Sequence, residues 1–366
     1  MRAPALRSVE EMGLAEVEVL RLILRGASVV DWRRLHFAAR DDVERFLRLN
    51  LFDPDDPDDR ARLQSILDQA VAYLRHTFRY RVDERIAHPE EIHDVFLFAS
   101  GEKEPRRLRR IACVVLKVMH VVHHLEGRER RFRVRLSDAE LARRVDARIM
   151  DAARDMIGAG LPIVEFSGNL KSRESMVTKL LAKRETLAAA IYDRVRYRIV
   201  VRRRDDVLPV LTYLTETLFP FNSLMPGQTQ NSLVSLRELV DRTPHLARLS
   251  SQLQHPHLVA DDGKAMNEFS GESYRVLNFV VDLPVRIDAV AVGDGEGSES
   301  GTVFALVELQ MVDEETSATN ESGDNSHLRY KRRQLRRVLQ RLSRGLVVPK
   351  PKAPEPDAPP DDDEPN

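Results

Sequence analysis

Cysteine is almost absent from this sequence. Cys113 is the only one in 366 residues, so one chain can form neither an internal disulfide nor a cysteine-based metal site. It lies in an apolar helical run, which predicts a buried thiol in a reducing compartment. Also lacking is any run of about 18 apolar residues, the length a membrane-spanning helix needs. The first residues carry charges every few positions and no apolar stretch of the signal-peptide kind. No membrane is expected as a partner, and the cytoplasm is the expected location. Net charge is nearly absent too: 57 Lys and Arg stand against 58 Asp and Glu. So balanced a chain has no global attraction to nucleic acid or to an anionic surface.

The balance is uneven along the chain. Glu355, Asp357, Asp361, Asp362, Asp363 and Glu364 gather near the end, which leaves the rest mildly basic. Residues 346–366 are rich in Pro and Asp and have the composition of a disordered tail. Elsewhere a hydrophobic fraction of 42% is enough to build a core.

Residues 1–160 read as a helical accessory region. Leu63, Ile66, Leu67, Ala70, Val71 and Leu74 recur at spacings of three and four, which puts them on one helix face. The Asp- and Pro-rich stretch from Asp53 to Asp59 reads as a turn whose last Asp residues cap the following helix. His93-Asp94 and the trio His120, His123 and His124 could in principle bind a metal, but no full ligand set accompanies them. They read as structural or solvent-facing histidines.

The pattern changes after residue 160. Leu161 to Phe166, Arg196 to Val201, Arg275 to Val281 and Val303 to Met311 read as strands. Ser172 to Ala182 and Asp205 to Leu218 read as helices between them, and Tyr330 to Leu342 as a closing helix crowded with Arg. Gly293 to Gly301 and Thr316 to Asn325 read as polar loops. The expected class is α+β, with a mixed-sheet domain over 161–345 flanked by helices.

Three groups of residues in that domain suit phosphate chemistry. Lys171-Ser172-Arg173-Glu174-Ser175 opens a helix, and Lys179 lies a little over two turns beyond Lys171, on the same face. A helix start also offers free N–H groups to an anion, although a solvated lysine face gives the same pattern. Asp193 precedes the strand that carries Arg198. An Asp there can hold a metal or simply end a turn. Glu308 and Gln310 are two apart in an apolar strand, so they share a face opposite Val307 and Leu309. That is the pattern of a site, or of an edge strand with one wet face.

In that order these residues resemble the synthetase domain of the RelA/SpoT family of nucleotide pyrophosphotransferases. The resemblance runs from Glu165 to Lys331. It rests on Lys171-Ser172-Arg173-Glu174-Ser175, Asp193 with Arg198, Ser273-Tyr274-Arg275-Val276-Leu277-Asn278, Glu308-Leu309-Gln310, and His327 before Tyr330-Lys331. It implies a nucleotidyltransferase-like fold that moves pyrophosphate from ATP to a 3′-hydroxyl with Mg2+. Lys171 and Lys179 would bind the ATP phosphates with Ser175 in support, and Arg198 would lie in the nucleotide cleft. Asp193 and Glu308 would be catalytic and hold the metal, with Glu308 also taking the hydroxyl proton. Tyr274 would stack on the acceptor base, and Asn278, Gln310 and His327 would line its pocket. Asn169, Ser273, Val276, Asn278 and Val312 stand where the family carries other residues, which implies a changed acceptor pocket. The acceptor could then be a guanine nucleotide or, as in toxin-like relatives, the end of a tRNA. A catalytically degenerate nucleotide sensor is the alternative.

Overall fold

A computed structural model describes residues 6–32, 35–101, 103–134, 136–170, 172–182, 195–246, 273–291, 298–322 and 327–343. Lys171, Asp193, most of the Gly/Ser loop and the acidic tail lie outside the described residues.

Among the described residues seven α-helices come first: α1 (Leu14–Arg25), α2 (Arg40–Leu49), α3 (Pro57–Phe78), α4 (Glu84–Ala87), α5 (Ile92–Ser100), α6 (Arg106–Arg133) and α7 (Asp138–Gly158). Their ends follow from local chemistry. α1 stops where Gly26 turns left-handed at φ 58°, a conformation that costs glycine little. The Asp-rich turn does cap α3: the Asp56 carboxylate accepts from the Asp58 N–H at 2.8 Å, and Pro57 fills the first helical position.

Strands and helices then alternate: β1 (Ile163–Leu170), α8 (Arg173–Ala182), β2 (Val195–Val201), α9 (Val207–Thr217), β3 (Gln230–Asn231), α10 (Leu236–Arg242), β4 (Leu277–Ala291), β5 (Ser298–Asp313), α11 (Glu314–Glu321) and α12 (His327–Leu342). The fold is α+β with a mixed five-stranded sheet in the order β1-β2-β5-β4-β3. β2 and β5 run parallel, and the other neighbours pair antiparallel. The stretch expected as a polar loop from Thr316 instead lies largely in α11. Its start explains this: Asp313 accepts from the Thr316 N–H at 3.0 Å, and Glu314 and Glu315 complement the helix dipole.

Two large hydrophobic cores form among the described residues. One joins the inner sheet face (Tyr197, Ile199, Phe279, Leu309) to α1, α7 and α9. The change of pattern near residue 160 is therefore where helices give way to strands, and the core continues across it. The other core lies among α3, α5 and α6 and includes Leu67, Val95, Cys113 and Val115. Polar groups fasten the two parts together. Arg286 on β4 pairs with the buried Asp59 on α3 at 2.8 Å, and Arg130 on α6 donates to the Thr302 carbonyl at 2.9 Å. Within the first core, Arg148 on α7 donates to the Leu218 carbonyl at 2.9 Å and to Pro284, and burial pulls its guanidinium down to about 10. Gly127 lets α6 approach β5, because a Cβ there would stand 2.5 Å from the Phe304 ring.

Candidate functional site

The candidate site is built by strand register. β2 runs parallel to β5 with Arg196 opposite Glu308 and Arg198 opposite Gln310. β4 runs antiparallel on the other side of β5 and sets Asn278 opposite Gln310. Alternation sends Tyr197, Leu309 and Phe279 into the core, which leaves the polar residues together on the opposite face. The expectation that Glu308 and Gln310 share a face holds.

Glu308 is the centre of this face and is buried. A buried carboxylate needs partners, and this one has three N–H contacts with the described residues. Arg196 donates from Nε to Oε2 at 2.9 Å and from Nη2 to Oε1 at 3.2 Å, and Asn278 Nδ2 donates to Oε1 at 2.5 Å. Burial works against the Arg196 charge, but the adjacent Glu308 carboxylate outweighs it and raises that group above its ordinary value. The Tyr274 and Tyr330 phenols, when ionised, act in the same direction.

Around this pair, Gln310 Nε2 donates to the Tyr274 hydroxyl at 2.8 Å. Burial raises the Tyr274 phenol, against the pull of Arg196 and Arg198. Arg198 turns to the rim, where it donates to Ser317 Oγ at 2.7 Å and to Glu321 Oε1 at 2.9 Å on α11. Asn320 on the same helix clamps the backbone of Arg275, accepting from its N–H at 3.1 Å and donating to its carbonyl at 2.7 Å. That clamp fixes the segment that carries Tyr274. The apolar residues Val200, Val276 and Val312 pack beside the Tyr274 ring at the end of the face.

The remaining expected residues sit differently. Ser172 caps α8 by accepting from the Ser175 N–H at 3.3 Å, and its hydroxyl meets that of Ser175 at 3.2 Å on the exposed surface. Lys179 is half-buried on α8, which packs against α12 through Ala182, Val338 and Tyr330. His327 opens α12, and its side chain lies outside the described residues, as do Lys171 and Asp193. Sequence reading missed Arg196. Its signal was present, since it stands two before Arg198 on a strand and so shares its face, but only the long-range register reveals Glu308 as its partner.

Beyond the C-terminal ends of β2 and β5 lies a polar cleft of about 310 Å³, lined in part by Arg202, Arg203, Arg204 and Arg275. The ends of parallel strands are common ligand positions. Four arginines against Asp313 and Glu315 give this cleft a surplus of positive charge suited to phosphate.

Hard cations take several oxygen ligands. The carboxylate at the centre of the face, Glu308, is already engaged by three donors, and among the described residues no three of His, Cys, Asp and Glu come together as a metal site. The described residues alone do not fit magnesium.

No family model matches this chain, and no curated protein matches it. Among solved structures it is similar to the small alarmone synthetase 1 from Bacillus subtilis bound to its product pppGpp, at 17% identity and a TM-score of 0.28, over 50% of this chain and 72% of that one. It is similar to the small alarmone synthetase 2 from the same organism, at 18% identity and a TM-score of 0.27, over 48% of this chain and 75% of that one. It is also similar to a GTP pyrophosphokinase family protein from Streptococcus pneumoniae, at 14% identity and a TM-score of 0.29, over 60% and 88% of the respective chains. Likenesses of this size carry no argument, and the functional reading rests on the residues. No helix among the described residues is long and apolar enough to cross a membrane.

Proposed function

We propose that the polar sheet face is the nucleotide site of a divergent RelA/SpoT-like pyrophosphotransferase. The reaction moves pyrophosphate from ATP to the 3′-hydroxyl of GDP, GTP or an RNA end. The acceptor oxygen bonds to the β-phosphorus, the bond from that phosphorus to the α,β-bridging oxygen breaks, and AMP leaves. The hydroxyl proton goes to Glu308. The observation that carries this reading is the Glu308–Arg196 pair at 2.9 Å, set among Asn278, Gln310 and Tyr274 on one face.

Such a pair keeps a carboxylate charged inside the protein, ready to act as a base once its arginine turns elsewhere. Arg196 and Arg198 are the groups to turn, since a guanidinium pairs with phosphate as readily as with carboxylate. The Tyr274 ring offers a surface for stacking on a base. Mg2+ would need Asp193 as a second carboxylate.

The test incubates purified protein with ATP, Mg2+ and GDP, GTP or tRNA, and resolves products by chromatography. The expected result is AMP release with one acceptor, reduced on the order of 100-fold by Glu308→Gln, as for loss of a general base. No AMP with any acceptor removes the transferase reading. One observation favours a second reading, a catalytically degenerate nucleotide sensor: both Glu308 oxygens are already bound. Tight ATP binding in calorimetry without turnover selects it.

A further inference from the structure

Away from the sheet face, a cavity of about 90 Å³ lies where the two hydrophobic cores meet. Trp32 and Phe221 line it from the sheet side, and Phe37, Phe46, Phe52 and Phe96 from the helical side. The rings form a continuous aromatic wall: Trp32 and Phe221 stand 4.0 Å apart, and Phe221 stacks on Phe46 at 5.1 Å. An engineered dry cavity of roughly 150 Å³ accepts benzene, and this smaller space limits an occupant to a single small ring.

Its polar atoms distinguish it from a packing defect. Trp32 Nε1, Asn222 Oδ1 and both ring nitrogens of His123 are buried with no hydrogen-bond partner among the described residues. These side chains are 8%, 9% and 5% exposed, and all three line the cavity. Buried polar groups in proteins are nearly always paired, and orphans gathered round one space point to a missing occupant. Together they offer a donor from the indole, an acceptor from the amide, and a histidine that supplies either. His120 also lines the space, with Nδ1 at 3.3 Å from Asn222 Nδ2. Burial pushes His120 down to about 3 and His123 well below its usual range, so neither ring is charged. Lys117 lines the space too and is already engaged in another interaction. An apolar wall with neutral polar atoms disfavours a charged ligand.

We propose that this cavity binds a small neutral aromatic molecule that bears one hydroxyl or ring N–H. The ring lies among the aromatic side chains, and the polar edge faces Trp32, Asn222 and His123. Cavities at the meeting of two cores, apolar with a few convergent polar groups, are the usual form of such sites. The proposal does not depend on the reading of the sheet face.

The test uses the full chain with phenol as probe and benzene as its apolar control, by calorimetry and thermal unfolding. Phenol is expected to bind at least tenfold more tightly than benzene and to raise Tm. His123→Phe is expected to erase that preference, and Leu116→Phe to fill the space and abolish binding of both. Should His123→Phe fail to fold, Trp32→Phe removes the indole donor and reads the same preference. Failure of both probes to bind, with ordered water alone in the cavity of a crystal structure, overturns the proposal. So does equal affinity for phenol and benzene.

Discussion

Two ion pairs in this molecule look alike when taken alone. Asp59–Arg286 closes at 2.8 Å with side chains 4% and 36% exposed, and Glu308–Arg196 at 2.9 Å with 5% and 34%. Their neighbours differ in kind. Asp59 also accepts from the Asp53 N–H at 2.9 Å, and Arg286 also donates to the Leu51 carbonyl at 2.9 Å. Both partners are backbone of the turn before α3, so that pair cannot rearrange without opening the fold. Glu308 and Arg196 are surrounded by the side chains of Asn278, Gln310 and Tyr274, which can rotate. Identical electrostatics thus serve a seam in one place and a candidate site in the other, and the surroundings decide which.

Removing the seam pair should have the largest effect. Asp59→Ala leaves the part-buried Asp53 N–H without its acceptor and takes the carboxylate from Arg286, and an orphaned donor with a lost charge-assisted hydrogen bond costs about 3 kcal/mol. Urea unfolding should show a loss of that size, with ATP affinity of the folded fraction unchanged. A loss under about 1 kcal/mol, the level of an exposed pair, would show that the pair is idle and the contrast with Glu308 empty. Gly127→Val tests the same seam by shape. The new Cβ meets the Phe304 ring, which is held by stacking on His124 at 3.9 Å, so overpacking should cost about 1–3 kcal/mol. An unchanged urea midpoint would mean that α6 and β5 are not pressed together there.

The sequence revealed these regions unequally. Alternation around Glu308 and Gln310 was visible because strand periodicity is local. Asp59 read as a capping residue in a turn, because its partner lies 227 residues away. Arg196 was passed over for the same reason, with Glu308 112 residues distant. α11 was hidden by its Ser, Thr and Asn content, which favours loops until a capping Asp and the packing of Ser317 and Asn320 fix a helix. The histidines of α6 were seen as a cluster, yet nothing local told that they would be buried against Phe52 and Phe304.

Those histidines supply a third effect, one that grows as pH falls. His120 and His123 titrate below their usual 6.5 in the folded chain, chiefly because they are buried. Below that pH the unfolded chain takes up protons that the folded chain refuses, so stability is full above about 6.5 and falls as pH drops toward about 3, where His120 itself protonates. Each such group costs about 1 kcal/mol per pH unit over that window. Urea midpoints between pH 7 and pH 5 should fall accordingly, and His123→Phe should flatten the slope. An equal slope in that variant would move the acid sensitivity to carboxylates.

The smallest effect on stability belongs to the site pair, and this is what separates it from the seam. Glu308→Gln keeps the shape and can still accept a hydrogen bond from Arg196, whose side chain is 34% exposed and can reach water. The cost should be about 1 kcal/mol or less, the size of one exchanged hydrogen bond or a partly solvated ion pair. Nucleotide turnover, by contrast, should collapse. A variant that unfolds as easily as Asp59→Ala would place Glu308 among the residues that hold the sheet together, and the candidate site would lose its central carboxylate.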